Sequence, residues 1–334
     1  PPRSTLFPYT TLFRSAFFSI RDHIKPEIQA IVIYPIDRYS FINGKNQKLF
    51  IPLNKNVKSL KDIKLYGKIG FGIQVTDYHD RDNNSNGIYS IQVRVDTLQI
   101  FQLKLDSFSF DQTRYANSVC DYEYMMAKTK KIYKCFVEPG NRLPVYKESG
   151  ERGIINFQQI QNTTISIKAF DFAGNSDEIR IFPQIDTPSF QKITFTQGIE
   201  VDFKTKKTID FGKIKLDFNT ETFFDTVWVS HTETKATEPM ISPFYEILPT
   251  YTPVFKKFTI SVSCPKVQTE LQKKLVLCWF NGDNKPQPRG GEYNNGWIIA
   301  QVNQFGKYAI MLDTLAPQIK ALNFTKGEDL TAKK

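Results

Sequence analysis

The sequence has few of the residues from which enzymes build metal or nucleophile sites. It contains three histidines in 334 residues, His23, His79 and His231, and none stands two or four positions from another. The H-x-H and H-E-x-x-H zinc pairs are therefore absent. No G-x-S-x-G turn and no phosphate-binding glycine loop occurs either. The histidines are most simply explained as surface residues, and we do not expect an active site within this chain.

Arginine, alanine and long apolar runs are also scarce. The net charge is +10, but 33 lysines stand against 11 arginines, and the lysines are scattered without a dense basic run. Base readout and stacking channels depend on arginine and clustered aromatic residues, so nucleic acid is not an expected partner. No run approaches the roughly 18 apolar residues of a membrane-spanning helix. A solvated lysine-rich surface, which also attracts an anionic cell envelope, is the simplest interpretation.

The four cysteines form two local pairs, Cys120/Cys135 and Cys264/Cys278, without the C-x-x-C spacing of zinc sites. Cys264 ends one strand-like run and Cys278 lies in the next, so a cross-strand disulfide is geometrically feasible. A bridge across about 15 residues would stabilise the fold by roughly 3 kcal/mol. Free buried thiols are the favoured alternative.

Short segments rich in Ile, Val, Phe, Tyr and Thr are abundant, and Gly, Asn, Asp and Pro separate them. This pattern predicts an all-β protein. Residues 88–95 and 98–105 alternate around a two-residue polar link, which predicts a β-hairpin. Residues 163–182 predict a second strand–turn–strand unit with Gly174 and Asn175 in the turn.

Two segments depart from the strand pattern. Apolar residues within 118–136 recur at about helical spacing, which predicts one short helical excursion with its apolar stripe in the core. These residues are Tyr122, Met125, Met126, Ile132 and Tyr133. The proline-rich stretch from Thr237 to Phe255 is expected to be a long loop or an edge, because proline lacks the N–H that a central strand needs.

The chain ends on a copy of its opening phrase. DTLAPQIKALNF at residues 313–324 shares its Asp, Pro, Ile and Ala, at the same offsets, with DHIKPEIQAIVIY at residues 22–34. This repeat and the strand pattern predict tandem immunoglobulin-like β-sandwich domains. We expect a linker at 16–27, a first domain at 28–186, a second at 187–312 and the start of a truncated third at 313–334. Residues 1–15 resemble sequencing-adaptor read-through and are expected to be an artefact.

The densest polar segment is TDYHDRDNNSNG, residues 76–87. It offers hard oxygen ligands of the kind that calcium prefers. The candidate calcium ligands are Asp77, Asp80, Asp82, Asn84 and Asn86. The spacing departs from that of an EF-hand loop, with no glutamate at the twelfth position. Asn, Asp and Gly are also typical of a plain strand-linking turn, which is the favoured interpretation.

Several stretches follow one another in a characteristic order. They are GKIGFGIQVTDYHDRDNNSNGIYSIQVRVD, KLDSFSFDQTRYANS, DYEY, KCFVEPGNRL, GIINF, IKAFDFAGNSDE, YTPVFKKFTISV and NGWIIAQVNQFGKYAIMLDTLAPQI. In this order they resemble the region after the catalytic domain in Bacteroidetes-type metallopeptidases of the lysostaphin/LytM class (peptidase family M twenty-three). The resemblance covers nearly everything from about Ala16 to Phe324.

The resemblance implies a secreted, periplasmic or outer-envelope protein whose parent is a zinc endopeptidase of peptidoglycan. Zinc is implied only for a catalytic domain missing from this chain, because the family's H-x-x-x-D and H-x-H ligands have no counterpart here. The chain would then be an accessory, non-catalytic region, with its own catalytic domain and the cell wall or envelope surface as partners.

The alternative is a surface adhesin or carbohydrate-binding β-sandwich array with no peptidase attached. Aromatic side chains that could stack on sugars are Tyr245, Tyr251, Trp279 and Trp297. Packing within the sandwich is the competing interpretation for all four.

Overall fold

The computed structural model describes residues 22–314 and residue 322, with gaps at 81–83, 108, 129–130, 149–150, 159–162, 187–197, 237, 265–266, 281 and 283–284. The described residues are mostly β-strand with a few short helices, so the predicted all-β class is confirmed. Residues 1–15, part of the predicted linker and most of the predicted third unit lie outside the described residues.

The first group of strands lies between residues 27 and 185. The strands are β1 (Glu27–Pro35), β2 (Phe41–Ile42), β3 (Leu49–Pro52), β4 (Ser59–Leu60), β5 (Lys64–Tyr66), β6 (Lys68–Tyr78), β7 (Ser85–Asn86), β8 (Ser90–Val95), β9 (Leu98–Lys104), β10 (Ile132–Lys134), β11 (Tyr146–Glu148), β12 (Ile155–Asn156), β13 (Ile165–Phe170), β14 (Ser176–Ile181) and β15 (Gln184–Ile185). A 3₁₀-helix (Phe110–Ser118) and α1 (Tyr122–Lys128) lie between β9 and β10.

These strands form two large sheets. One has the order β10–β6–β1–β3, with β7 and β12 also paired to β6, and the other has the order β11–β9–β8–β13–β14–β4. A small sheet, β15–β5–β2, adds to them. Alternating apolar residues of both large sheets, among them Ile31, Phe71, Val93 and Ile167, share one buried core. We call this unit the first sandwich.

Both predicted strand–turn–strand units of the first sandwich are confirmed. Strands β8 and β9 pair around Asp96 and Thr97, with Val93 opposite Phe101. Strands β13 and β14 pair along their whole length, with Phe170 opposite Ser176. Gly174 in the turn between them has a φ of 95°, a conformation that glycine adopts without strain.

The second group of strands lies between residues 199 and 312. The strands are β16 (Ile199–Val201), β17 (Lys207–Asp210), β18 (Ile214–Phe218), β19 (Val227–Thr234), β20 (Phe244–Leu248), β21 (Phe258–Ser263), β22 (Leu275–Phe280), β23 (Pro286–Gly290), β24 (Glu292–Asn294), β25 (Trp297–Val302) and β26 (Gly306–Leu312), with the one-turn helix α2 (Thr269–Gln272) before β22.

These strands also form two sheets, in the orders β16–β19–β20–β26–β22–β23 and β17–β18–β21–β25–β24. The shared core of this second sandwich is strongly aromatic. Phe218, Phe223, Phe258 and Phe305 are all buried, and their ring centroids lie 5.0–6.2 Å apart. Aromatic pairs at these distances add stability beyond the burial of their area.

Two predictions about local structure are wrong. The proline-rich stretch contains a central strand, because β20 pairs with both β19 and β26. Pro243 and Pro249 stand just outside β20, so they withhold no N–H from the sheet. The predicted helix is shorter than its spacing indicates: α1 ends at Lys128, and Ile132 and Tyr133 belong to β10. Met126 of the expected core stripe is 46% exposed.

The cysteines are free, buried thiols, as favoured from the sequence. The cross-strand bridge between Cys264 and Cys278 is not formed, and its premise fails, since β21 and β22 are not neighbouring strands but belong to different sheets of the second sandwich. Burial raises the pKa of Cys120 to about 11 and raises the pKa of Cys135 further. Protonated, buried thiols of this kind are poor nucleophiles.

The two sandwiches pack against each other through an aromatic contact. The ring of Tyr115, from the first sandwich, stacks on Phe255 of the second at 4.4 Å and also contacts Phe224. The backbone N–H of Gly140 donates a hydrogen bond to the Phe224 carbonyl at 2.7 Å. Arg142 forms an ion pair across the same boundary with Glu221. Phe224 is buried as a result of these contacts.

Candidate functional site

A cluster of three carboxylates lies at one end of the first sandwich. Asp22, Asp77 and Asp171 each place a carboxylate oxygen within 4.8 Å of the other two. In the part of the chain that the structure describes, this is the one group of three acidic, histidine or cysteine side chains arranged in this way. We call these residues the acid cluster.

Each member of the acid cluster comes from a different element. Asp77 is the penultimate residue of β6, and Asp171 follows β13 directly, at the start of the turn to β14. Asp22 precedes β1 and accepts a hydrogen bond from the backbone N–H of Ile24. Asp171 accepts hydrogen bonds from the backbone N–H and the side-chain amide of Asn175, which fix it in the turn.

Two histidine–carboxylate pairs connect the segment before β1 to the residues that follow β6. The Asp22 carboxylate lies 2.8 Å from His79 Nδ1, and His23 Nδ1 lies 2.8 Å from the Asp80 carboxylate. The pair Asp22–His79 is mostly buried, whereas the His23 side chain is 79% exposed. The hydrogen bond and charge of Asp80 raise the pKa of His23, and the same contacts lower the pKa of Asp80.

The electrostatic surroundings of Asp77 differ from those of other buried carboxylates in the same sandwich. Asp121 receives Lys48 Nζ at 3.0 Å, and Asp177 receives Lys58 Nζ at 2.5 Å. Asp77 is 2% exposed, and no described residue donates a hydrogen bond to its Oδ1. Burial, followed by the charges of Asp171 and Asp22, raises the pKa of Asp77 to about 7, and His79 opposes this only in part.

A second polar side chain, half-buried but with a buried nitrogen atom, lies opposite Asp77. Asn86 pairs with Asp77 across the β6–β7 ladder, and among the described residues its Nδ2 has no hydrogen-bond partner. Directly opposite residues of an antiparallel pair place their side chains on the same face of the sheet. The oxygen and nitrogen of an asparagine amide are assigned from such partners, so Asn86 can present its Oδ1 to the same place.

The structure divides the candidate calcium ligands that the sequence predicts. Asp77 and Asn86 are brought together, whereas Asp80 turns to His23. Asn84 is exposed, and Asp82 lies outside the described residues. The loop is in part a β-hairpin, since β7 pairs with the end of β6. Sequence reasoning missed Asp22 and Asp171, although Asp22 begins the opening phrase and Asp171 lies in the predicted turn that contains Gly174 and Asn175.

The three histidines do not gather into a zinc site. His23 and His79 are each bonded to a carboxylate, and His231, in the second sandwich, packs against the Phe211 ring at 4.3 Å. The expectation of a surface residue holds for His23, but His79 is half-buried beside the acid cluster. The residues present therefore do not supply the ligand set of the peptidase class.

Only one of the four aromatic residues considered for sugar stacking is prominently exposed. Tyr245 is buried in the core, Trp279 donates its Nε1–H to the Phe305 carbonyl, and Trp297 lies under the Lys215 ammonium. Tyr251 is 44% exposed and lines a cleft of about 330 Å³ between the two sandwiches. The opposite wall of this cleft carries Tyr34, Phe136 and Glu138 from the first sandwich.

Comparison with known proteins adds one family match. Residues 200–313 match the family described as the Zu5-like domain, which is about a third of the chain and coincides with the second sandwich. No curated protein matches the chain. Among the described residues, no helix has the length and apolar character needed to cross a membrane.

Proposed function

We propose that this chain is the non-catalytic β-sandwich region of a peptidoglycan metallopeptidase, secreted or held in the envelope, and that it is a rigid support for a catalytic domain on the same polypeptide. The packed contact between the two sandwiches is the observation that carries the support role. The motifs that resemble the region after the catalytic domain of LytM-class peptidases support the choice of enzyme.

The contact favours a fixed arrangement of the sandwiches over a flexible one. Domains joined only by polar contacts usually move relative to each other, whereas an apolar contact restrains them. Here Phe224 is buried against Tyr115, and Glu221 binds both Arg142 across the boundary and Lys256 within its own sandwich. A unit of fixed length and direction can hold an attached enzyme at a defined distance from its polymeric substrate.

The arrangement of reactive side chains supports a non-catalytic role. A hydrolase needs a nucleophile or a bound water next to a base, within about 3 Å. His23 and His79 are engaged with carboxylates, His231 lies in the other sandwich, and the four thiols are buried. The described residues therefore offer no such pair among their histidines and cysteines.

The support role is tested by the solution shape of the chain. We expect small-angle scattering to give one compact two-lobed particle for the wild-type chain. Phe224→Ala should increase the radius of gyration, because it removes the central ring of the contact. Phe110→Ala removes a ring that is 90% exposed and is the matched control. Equal scattering from wild type and Phe224→Ala would contradict the rigid support.

The choice of enzyme is tested separately. The purified chain should release no peptides from peptidoglycan with or without zinc, and chelator-sensitive release would overturn the non-catalytic role. The coding sequence upstream of residue 16 should encode a domain with H-x-x-x-D and H-x-H motifs. A signal peptide followed directly by further sandwiches would instead favour an adhesin.

The cleft at Tyr251 favours a second candidate function, carbohydrate binding. Its volume of about 330 Å³ lies within the usual range of ligand sites, and the exposed Tyr251 ring offers a flat apolar face on which a sugar can stack. Co-sedimentation with insoluble peptidoglycan tests it. Under this second function, Tyr251→Ala should reduce the bound fraction, and Tyr39→Ala, which removes another exposed ring, should not.

A further inference from the structure

The acid cluster has more negative charge than its described neighbours offset. Three carboxylates lie within 4.8 Å of one another, and the imidazole of His79 beside them is already bonded to Asp22. Buried carboxylates in proteins are normally paired with a cation or bound to a metal. Asp121 and Asp177 of the same sandwich follow this rule through Lys48 and Lys58.

The unpartnered oxygen of Asp77 indicates where a missing positive charge belongs. Asp77 is only 2% exposed, and its Oδ1 has no hydrogen-bond donor among the described residues. An orphaned acceptor at such burial costs about 1–3 kcal/mol, and more when it is charged. The opposite Asn86 amide is also unsatisfied at its Nδ2. A bound cation would satisfy the Asp77 Oδ1, and it would also be bound by Asn86 if the amide is turned so that its Oδ1 takes the place of Nδ2.

We propose that Asp22, Asp77 and Asp171 form a calcium site that fixes the chain segment entering the first sandwich. The site differs from the continuous loop that the sequence offers as a calcium candidate, because it shares with that loop only Asp77 and, as an additional ligand, Asn86. This inference is independent of the proposed function, since it concerns the chain's own residues and holds with or without an attached peptidase.

The spacing of the carboxylates fits a single calcium ion. Calcium–oxygen distances are about 2.3–2.6 Å, so two ligands of one ion are separated by at most about 5 Å. The oxygens of the acid cluster meet this limit, since all three lie within 4.8 Å of one another. Calcium takes six to eight oxygens, and the Asn86 Oδ1 and water would supply the remainder.

The ligand chemistry selects calcium over other common cations. All three carboxylates offer hard oxygen ligands, whereas zinc prefers nitrogen and sulfur in a four-coordinate site. Magnesium demands near-octahedral geometry and gives up its water reluctantly, which suits a cluster spread over three elements poorly. The His79 Nδ1 faces Asp22 at 2.8 Å and therefore orients a ligand.

A bound ion would connect three parts of the first sandwich. Asp22 stands before β1, Asp77 at the end of β6 and Asp171 in the β13–β14 turn. Asn175 adds to this connection, because its amide donates to both the Asp22 carbonyl and the Asp171 carboxylate. The cation would thus set the direction in which the chain runs into β1.

Thermal unfolding and calorimetric titration of the full 334-residue chain test the site. After removal of divalent ions with EDTA and dialysis at about pH 8, CaCl₂ at about 1 mM should raise Tm by about 3 °C or more. Asp77→Asn should have two effects of opposite direction. It should raise Tm in EDTA, because it removes an uncompensated buried charge, and it should abolish the rise with CaCl₂. Asp171→Asn should weaken calcium binding by about tenfold or more, because it removes one of three charged ligands.

Asp80→Asn is the matched control, because Asp80 stands in the same loop but pairs with His23 outside the acid cluster. This variant should keep the full calcium response. The site would be refuted by a wild-type Tm that CaCl₂ leaves unchanged, or by a response that Asp80→Asn abolishes and Asp77→Asn preserves. A rise with ZnCl₂ at equal concentration and none with CaCl₂ would overturn the assignment to calcium.

Discussion

The two sandwiches differ in what they bury. Among the described residues, the buried charged side chains all belong to the first sandwich. They are Asp22, Asp77, Asp121, Lys134, Asp171 and Asp177. The buried polar side chains of the second sandwich are hydroxyls, Thr222, Ser242, Thr252 and Ser261, around a core of phenylalanine rings. Burying a charge is costly unless the charge is paired. The buried charges therefore indicate where the first sandwich fixes other segments of the chain through paired side chains.

The paired charges of the first sandwich hold long connections against its sheets. Lys48, just before β3, reaches Asp121 at the start of α1, and Lys58, just before β4, reaches Asp177 in β14. In the second sandwich, packed aromatic rings hold a connection against the sheets. Phe305, in the β25–β26 connection, contacts Phe218, Phe223 and Phe258. The two units therefore use different forces for the same structural task.

The largest expected effect comes from removing a ring of the aromatic core. Phe258→Ala should destabilise the second sandwich by about 3–5 kcal/mol, because Phe258 is fully buried and its loss leaves a cavity between Phe218 and Phe305. Urea unfolding followed by tryptophan fluorescence measures it, since Trp228, Trp279 and Trp297 all lie in this sandwich. Phe110→Ala, at an exposed ring of the first sandwich, should leave the transition unchanged. A loss below about 1 kcal/mol for Phe258→Ala would contradict the role of the aromatic core.

Removing a paired charge should have the next largest effect, and it should depend on pH. Burial alone would raise the pKa of Asp121, but Lys48, the Tyr124 N–H and the Tyr34 hydroxyl outweigh it and lower the pKa below its usual value. Asp121→Asn should therefore cost about 1.5–3 kcal/mol at neutral pH. A carboxylate with a lowered pKa stabilises the fold above the pKa of the unfolded state, about 3.9, and this contribution is lost as the pH falls through the folded-state pKa.

The difference in unfolding free energy between wild type and Asp121→Asn should accordingly have its full size at neutral pH and disappear below about pH 4. Urea unfolding monitored by circular dichroism across this range measures it. Asp210→Asn is the control, because Asp210 is an exposed carboxylate of the second sandwich paired with Lys215. A stability difference that stays constant down to acid pH would show that Asp121 acts through its shape and not through its charge.

Much of this fold could be predicted from local sequence. The β8–β9 and β13–β14 hairpins follow from strict alternation and turn residues, which are local properties. The prediction failed at β20, where two prolines suggested an edge although they stand outside the strand. It also failed at Ile132 and Tyr133, whose helical spacing relative to Tyr122 is coincidental. Their conformation is decided by backbone pairing, since both pair with β6 and Tyr133 also forms an isolated β-bridge with Cys120.

The candidate site was only half predictable, for a physical reason. Asp77 and Asn86 stand in one polar segment, and a density of oxygen ligands is visible in sequence. Asp22 and Asp171 reach the cluster through pairing of β1 with β6 and through the position of the β13–β14 turn, and no local pattern encodes such long-range contacts. The repeated opening phrase did not help either, because Asp313, the counterpart of Asp22, is exposed and donates its backbone N–H to Lys274.

The boundary between the sandwiches can be tested with a single methyl group. A Cβ at Gly140 would lie 2.9 Å from the Phe224 carbonyl oxygen and 3.0 Å from its Cα, and both are backbone atoms that cannot rotate away. Gly140→Ala should lower the free energy of unfolding by about 1–3 kcal/mol, or it should separate the two sandwiches so that they no longer unfold in one shared transition. Gly282→Ala is the matched control, because a Cβ there meets nothing within 4 Å. Unfolding followed in parallel by fluorescence and circular dichroism distinguishes the two results.

The smallest effect is expected for an ion pair on the surface, and it sharpens the comparison most. Lys213 and Glu233 lie 2.8 Å apart in the second sandwich, and Lys58 and Asp177 lie 2.5 Å apart in the first. The pairs differ mainly in their carboxylates, since Glu233 is 37% exposed and Asp177 only 5%. Lys213→Ala should therefore change stability by less than about 0.5 kcal/mol, an effect that high salt removes. Lys58→Ala should cost clearly more and keep most of its effect in salt, because it leaves a buried carboxylate without its cation. Equal losses in urea titrations of the two variants would mean that distance, and not burial of the carboxylate, determines what an ion pair contributes in this protein.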